Sequence, residues 1–142
     1  PYGPVLAGTV PIGIDLPGSD LDIICHVSDL KAFAKDMRNW FGRQPFFDIK
    51  EGEERGEPYV VASFQDSPFP IEIFGQACPA TKQNAYKHMV VEHYLLQENG
   101  DSFRQQILEQ KKAGVKTEPA FAQVLQLSGD PYTALLEYEM KR

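Results

Sequence analysis

Three carboxylates carry the chemistry that this sequence offers. Asp20 and Asp22 stand two apart in Ser19-Asp20-Leu21-Asp22-Ile23, at the mouth of the apolar run Leu21 to Val27. Strand alternation puts residues i and i+2 on one face. The two carboxylates then project side by side and repel each other unless a cation sits between them. Hard oxygen donors with open positions suit Mg²⁺ (or Mn²⁺), which keeps its waters and binds a substrate's phosphates. A third carboxylate, Glu72, is flanked by Ile71 and Ile73 and faces opposite to both on a half-buried strand. If it faces the Asp pair, the three complete a metal cradle. Each piece alone has a plainer explanation: Ser19 and Asp20 closing a Pro-Gly turn, and Glu72 lying on the wet side of an alternating strand. Their combination with Gly8-Thr9 and a Gly/Pro-rich loop is harder to ascribe to packing alone.

Other motifs fail on chemistry. Gly13 and Gly18-Ser19 have P-loop glycine spacing, but the Lys that must follow the second Gly is missing. The apolar strand follows the Asp pair instead of leading into it, unlike a phosphatase nucleophile. His88, Glu92 and His93 resemble a zinc helix, but residues i and i+5 lie ~140° apart on a helix of 3.6 residues per turn. His93 is expected in the core. An i, i+4 interaction accounts for His88 and Glu92, with His88 near enough to Asn84 to line a cleft as well. His26 is a strand residue.

The elements that must position these groups follow from periodicity. Val5 to Val10 is a short apolar segment, Pro11 to Gly18 a loop and Leu21 to Val27 a strand. Ser28 is the expected N-cap of a helix whose apolar face is Leu30, Phe33, Ala34, Met37 and Phe41, ended by Gly42. Phe46 to Lys50 and Tyr59 to Phe64 are expected strands joined by the polar stretch Glu51 to Pro58, and Ile71 to Phe74 another after a turn at Asp66 to Pro68. Beyond Asn84 the texture is helical. Tyr86, Met89, Val90 and His93 trace a face, Asn99-Gly100 breaks the helix, and Ser102 to Lys112 forms the next, stopped by Gly114. Thr117 and Asp130 are the expected N-caps of two more, with Pro119 and Pro131 in their first turns. The class is α/β or α+β, a mixed sheet with helices packed on it. We expect one domain over residues 1–142, with the sheet and metal site in 1–80 and a helical part in 84–142.

Composition narrows the partners. The chain has 142 residues, and 42% of them are hydrophobic and 24% charged, which excludes a disordered or collagen-like protein. With 14 basic residues scattered among 20 acidic ones and a net charge of −6, a long nucleic acid is not the expected partner. No apolar run reaches the ~20 residues of a membrane span, and no signal peptide is visible. Cys25 and Cys78 lie far apart in apolar surroundings and read as two buried free thiols, in keeping with a cytoplasmic protein. The first residue is Pro1 rather than Met, so an upstream segment is expected.

At this point the sequence resembles a known superfamily. Gly8-Thr9, Asp20-Leu21-Asp22 and Ile71-Glu72-Ile73 are similar to the polymerase-beta-type nucleotidyltransferase signature. The longer run from Ala7 to Asp22, with Ile73 to Gln76 and Gln83 to His88, resembles a bacterial family of unknown function within it, over nearly the whole chain. Members of that family carry an additional N-terminal helix, which agrees with the non-Met start. The resemblance implies a nucleotidyltransferase-like mixed sheet and Mg²⁺-dependent transfer of a nucleotide from a nucleoside triphosphate to a small-molecule or protein hydroxyl. Gly8 and Thr9 would hold the phosphates, with Ser19 also in the nucleotide-binding set. Asp20 and Asp22 would bind one or two Mg²⁺, and Glu72 would complete the metal site or take the acceptor's proton. Many members have a Gly-Ser turn followed by an Arg. Here the pair is Gly-Thr and the loop carries Asp15 without Arg or Lys, so a phosphate cation would come from Lys82, Lys87, Arg104 or Lys116. Two other classes remain open: a nucleotide- or metal-binding module without turnover, and an interaction partner such as half of a two-gene module.

Overall fold

The computed structural model describes residues 2–140. In chain order the elements are β1 (Val5–Ala7), β2 (Leu21–His26), α1 (Leu30–Phe41), β3 (Asp48–Glu54), β4 (Glu57–Asp66), β5 (Phe69–Gln76), a 3₁₀ turn (Ala80–Lys82), α2 (Asn84–Lys112), α3 (Thr117–Val124) and α4 (Pro131–Met140). The five strands form one sheet in the order β1-β2-β5-β4-β3. Only β2 and β5 run parallel, with Asp22 opposite Glu72 and Ile24 opposite Phe74; the other pairs are antiparallel.

Alternation gives the sheet two apolar faces. Cys25, Val60, Ala62 and Ile73 pack with Phe33, Ala34 and Met37 of α1. Ile24 on the other face packs with Ala7 and Ala80, and Phe74, Tyr86 and Met89 close over them. Gly75 is where α1 comes closest: a Cβ there would lie 2.8 Å from both Phe33 and Val27. The helical half has its own core of Val91, Leu95, Phe103, Ile107, Phe121 and Leu135, and the loop after β1 drives Ile12 and Ile14 into it.

Several local expectations change. The N-cap of α1 is Asp29, not Ser28, because the Asp29 carboxylate accepts from Ala32 N at 3.1 Å. The expected strand at Phe46 begins at Asp48, since Phe46 has φ 59° and is exposed. The polar stretch Glu51 to Pro58 is not a loop but the turn end of a hairpin, with the last residues of β3 and the first of β4. Its tight turn is Arg55-Gly56, both at positive φ (53° and 81°), as a two-residue hairpin turn requires. A charged sequence is compatible with β3 because it is an edge strand. On α2 the buried face is His88, Val91, Glu92, Leu95 and Leu96, and His93 is exposed. Hydrophobicity pointed to the wrong face because two of these five are polar, with partners elsewhere in the chain. Gly100 (φ 75°) does interrupt α2 as its sequence implies. Thr117 opens α3, with Lys116 in the cap position, while Asp130 caps the next helix through Thr133 N at 2.9 Å. Cys25 and Cys78 are both free; Cys25 is buried and Cys78 half-buried. None of the described helices is long and apolar enough to cross a membrane.

Candidate metal centre

The parallel pairing of β2 with β5 builds the site. Asp22 and Glu72 are register partners, so their side chains leave the sheet on one face. Asp20 precedes β2 by one residue and lies two from Asp22, which returns it to that face. Oxygen atoms from all three carboxylates lie within 4.8 Å of one another. Mg²⁺ at ~2.1 Å from each ligand spans oxygens up to ~4.2 Å apart, so small side-chain rotations close the cradle.

Electrostatics match this geometry. Burial, then the charges of Glu72, Asp20 and Glu118, push the Asp22 carboxyl up to about 7. Glu72 is also raised, by burial and then Asp20, against smaller opposing pulls from its hydrogen bond with Asp22 and from Lys50. Carboxyls whose charged forms are disfavoured by burial and by their acidic neighbours, as at Asp22 and Glu72, are suited to a hard divalent cation.

Gly8 ends the short strand β1 against this cluster. Its φ is +79°, and a Cβ would stand 2.4 Å from Asp22 Oδ2, so both backbone and space call for glycine here. The loop that follows is fastened from behind. Arg104 Nη1 donates to Ile12 O (3.2 Å) and Gly13 O (3.1 Å), and Lys111 Nζ donates to Ile14 O (2.5 Å). Arg104, a candidate phosphate cation, is thus held on the loop backbone, and Lys82, Lys87 and Lys116 are exposed and outside the cleft lining. Ser19 Oγ accepts from Leu16 N at 2.8 Å and pins the Pro-Gly turn.

A cleft of about 260 Å³ opens over the sheet face, lined by Gly8, Thr9, Asp22, Ile24, Glu72 and Phe74 on one side. Gln83, Asn84, Met89, Glu92 and Glu118 form much of the other side, with Glu54 beside them. Among the described residues five carboxylates line it and no Lys or Arg does. Glu54 accepts from Asn84 Nδ2 at 2.6 Å. Gln83 is fixed by donating to Cys25 O (2.8 Å) and Cys78 O (3.0 Å). Glu92 is 2% exposed and shares a hydrogen bond with Glu118; burial first, then Glu118, holds its carboxyl well above the usual range. His88 turns instead to Tyr132 O (2.9 Å), so the expected His88–Glu92 interaction is replaced by two separate tertiary ones.

The sequence therefore located the sheet side of the cleft and missed the helical side. In sequence Glu92 is only a neighbour of His88, Gln83 is marked only as part of the Gln83 to His88 run of the resemblance, and nothing marks out Glu54 or Glu118. They are far apart in the chain and come to one cleft only once the helices pack over the sheet.

The architecture is similar to several solved nucleotidyltransferases. These include the Cid1 poly(U) polymerase with Mg 3′-dATP bound (TM-score 0.54, 15% identity, 78% of this chain and 33% of that one). The GLD-2/RNP-8 complex matches at TM-score 0.54 and 16% identity, over 87% of this chain and 48% of that one. The polymerase core of the TRAMP RNA surveillance complex matches at TM-score 0.52 and 12% identity, over 93% and 40%. The chain thus spans between a third and a half of those proteins, and at these identities the likeness concerns the fold. That fold, a five-stranded mixed sheet with helices, is the nucleotidyltransferase fold. Within it, the chain belongs to the domain family of unknown function DUF4269, which matches residues 1–138. No curated protein matches it in sequence.

Proposed function

We propose that this chain is a Mg²⁺-dependent nucleotidyltransferase that moves a nucleotide from a nucleoside triphosphate to a hydroxyl of a small molecule or protein. The observation that carries this is the convergence of Asp20, Asp22 and Glu72 within 4.8 Å on the cleft face of the sheet, directly against Gly8. Similarity to nucleotide-bound polymerases of the same fold supports it. Asp20, Asp22 and Glu72 would hold the metal, and Mn²⁺ would substitute. When bound, the metal supplies Lewis-acid polarisation of the phosphoryl group and neutralises the leaving pyrophosphate. The Gly8 and Thr9 backbone offers N–H groups to the phosphates, the Thr9 hydroxyl adds another donor, and Ser19 keeps the loop turn in place. Glu72, the most exposed of the three, would take the acceptor's proton. We place the chain as a single domain in a bacterial cytoplasm, acting without membrane or long nucleic acid, its acidic cleft lacking the cations a polynucleotide needs.

That no Lys or Arg among the described residues lines the cleft favours a second reading, a nucleotide- or metal-binding module without turnover. A screen of the four nucleoside triphosphates with Mg²⁺ or Mn²⁺ separates the two, reading binding and pyrophosphate release together. Metal-dependent release supports transfer, whereas binding without release from any triphosphate across an acceptor panel supports the module.

A further inference from the structure

The metal carboxylates occupy one end of the cleft, and the other end has a different chemistry. Glu72, Phe74 and Gln76 alternate along β5 onto one face of the sheet, and all three line the cleft. Gln76 lies four residues beyond Glu72, which is ~13 Å along a strand. Gln76 is 7% exposed, and among the described residues its side-chain amide makes no hydrogen bond. Buried polar groups are almost always paired, and leaving one unpaired costs ~1–3 kcal/mol. What stays open of Gln76 faces the cleft and the groove that continues it. The long helix α2 begins at the same place. Gln83, Asn84 and Ala85 line the cleft, and no side chain caps the helix. Its first N–H groups are donors without an intrahelical partner, at the positive end of the helix dipole. The Gln83 amide takes no part, because its Nε2 is engaged by the carbonyls of Cys25 and Cys78. The groove adds Arg55 and Lys82. Its acids are Glu54 and Glu57, and Glu54 is already engaged by Asn84 Nδ2. A helix N-terminus, an amide without a partner and two cations suit an anion.

We propose that this end of the cleft binds an anionic group of the acceptor, with the Gln76 amide and the N-terminus of α2 as its donors and Arg55 and Lys82 at its mouth. The acceptor class is a small hydroxyl compound that also carries a phosphate or a carboxylate. The ~13 Å of strand between Gln76 and Glu72 separates this anion from the phosphoryl group being transferred. The hydroxyl part rests on the transfer activity proposed above; the anion site does not. In the transfer the acceptor oxygen bonds to the α-phosphorus of the nucleoside triphosphate. The α–β phosphoanhydride breaks, pyrophosphate leaves with the electron pair, and the hydroxyl proton passes to Glu72. Gln76 and α2 hold only the acceptor's far end during that step.

The test uses glucose 6-phosphate and gluconate as probes, with glucose as their uncharged counterpart. Melting temperatures are measured without metal at matched ionic strength, at about 20 mM probe, where millimolar affinity gives a mass-action shift. Each shift is read against the same protein without probe. The anions should raise the melting temperature and glucose should not, and the larger of the two shifts tells a phosphate site from a carboxylate site. Gln76→Met keeps the length of the side chain and removes its donor, and it should weaken anion binding about tenfold, or ~1.4 kcal/mol. The exposed pair Arg55→Gln and Lys82→Gln, made together, leaves the packing alone and should also weaken it, while Asp22→Asn should retain it. With a nucleoside triphosphate and Mg²⁺, pyrophosphate release at low acceptor concentration should be about tenfold faster for the better anion than for glucose. Gln76→Met should remove that advantage through acceptor KM, with kcat unchanged. An anion shift without pyrophosphate release from any acceptor would keep the anion site and remove the transfer activity. No anion-specific shift in the wild type, or a shift unchanged in both Gln76→Met and the Arg55, Lys82 double variant, would overturn the proposal.

Discussion

The two walls of the cleft are both acidic, yet they are built by opposite means. On the sheet wall, Asp20, Asp22 and Glu72 owe their meeting to alternation and to one parallel register, and they lie at a half-buried, open edge. On the helical wall, Glu92 is 2% exposed and meets Glu118 only because α2 and α3 pack together. An open cluster of three suits a hydrated divalent ion, which needs free positions. A closed pair that shares a hydrogen bond offers no such free position. The contrast shows that net acidity says little about a ligand, and that the number, exposure and fixing of the acceptors say more.

The largest effect that would break this contrast is expected at Gly8. Gly8→Ala forces a side chain into the left-handed region, costing ~1–2 kcal/mol, and places a methyl where Asp22 Oδ2 now stands. Pyrophosphate release should fall at least as far as for loss of a general base, ~10²–10⁴-fold, and the Mg²⁺-induced rise in melting temperature should vanish. Retained activity would separate Asp22 from the reaction.

Next in size is a packing control on the opposite face of the sheet, under α1. Gly75→Ala pushes a methyl against Phe33 and Val27, both essentially fully buried, and overpacking of this kind costs ~1–3 kcal/mol. Denaturant unfolding should show that loss while the Mg²⁺ response of the folded protein persists. A change confined to metal binding would mean that α1 and the site are coupled.

A smaller effect sharpens the comparison through pH. The folded Asp22 carboxyl titrates at about 7, above its unfolded value. The folded state then binds more protons than the unfolded state between about pH 4 and pH 7. Its stabilising contribution is present below the unfolded value and is lost as pH rises through 7. The metal-free protein should therefore be more stable at pH 5 than at pH 8. Asp22→Asn should flatten part of that slope, and Mg²⁺ should flatten it in the wild type by replacing the proton. Glu92, also raised, adds a slope of the same sign, which Glu92→Gln should remove and Mg²⁺ should leave in place. Melting curves across pH for the three proteins, with and without Mg²⁺, read this directly; a Mg²⁺-sensitive Glu92 component would merge the two walls into one metal site.

The smallest effect is expected behind the loop. Arg104→Ala removes two hydrogen bonds to loop carbonyls, so triphosphate KM should rise several-fold with little change in kcat. A loss confined to kcat would put Arg104 at the reacting phosphates instead.

The sheet wall was legible because its determinants are local: Asp20 and Asp22 two apart, and a Glu between isoleucines that strand alternation turns to one face. The helical wall was not, because its polar members are buried by tertiary packing that overrides the hydrophobic pattern. His88 satisfies Tyr132 O and Glu92 abuts Glu118, so the core face of α2 looks polar in sequence while exposed His93 looks like core. The β3–β4 hairpin was hidden for a related reason: its edge strand is solvated and charged, and its turn at Arg55-Gly56 lacks the Asn-Gly or Asp-Gly pair that most plainly marks a hairpin. The Arg104 and Lys111 contacts to the loop span more than ninety residues and leave no local trace.

Direct cation binding tests the sheet wall most closely. Mn²⁺ titrated into the wild-type protein and followed by calorimetry should bind at one or two sites and be displaced by Mg²⁺. Asp22→Asn and Glu72→Gln should each abolish or severely weaken that binding, and Glu92→Gln should leave it intact. Mn²⁺ binding that is lost in Glu92→Gln, or unchanged in both Asp22→Asn and Glu72→Gln, would contradict a metal centre built from Asp20, Asp22 and Glu72.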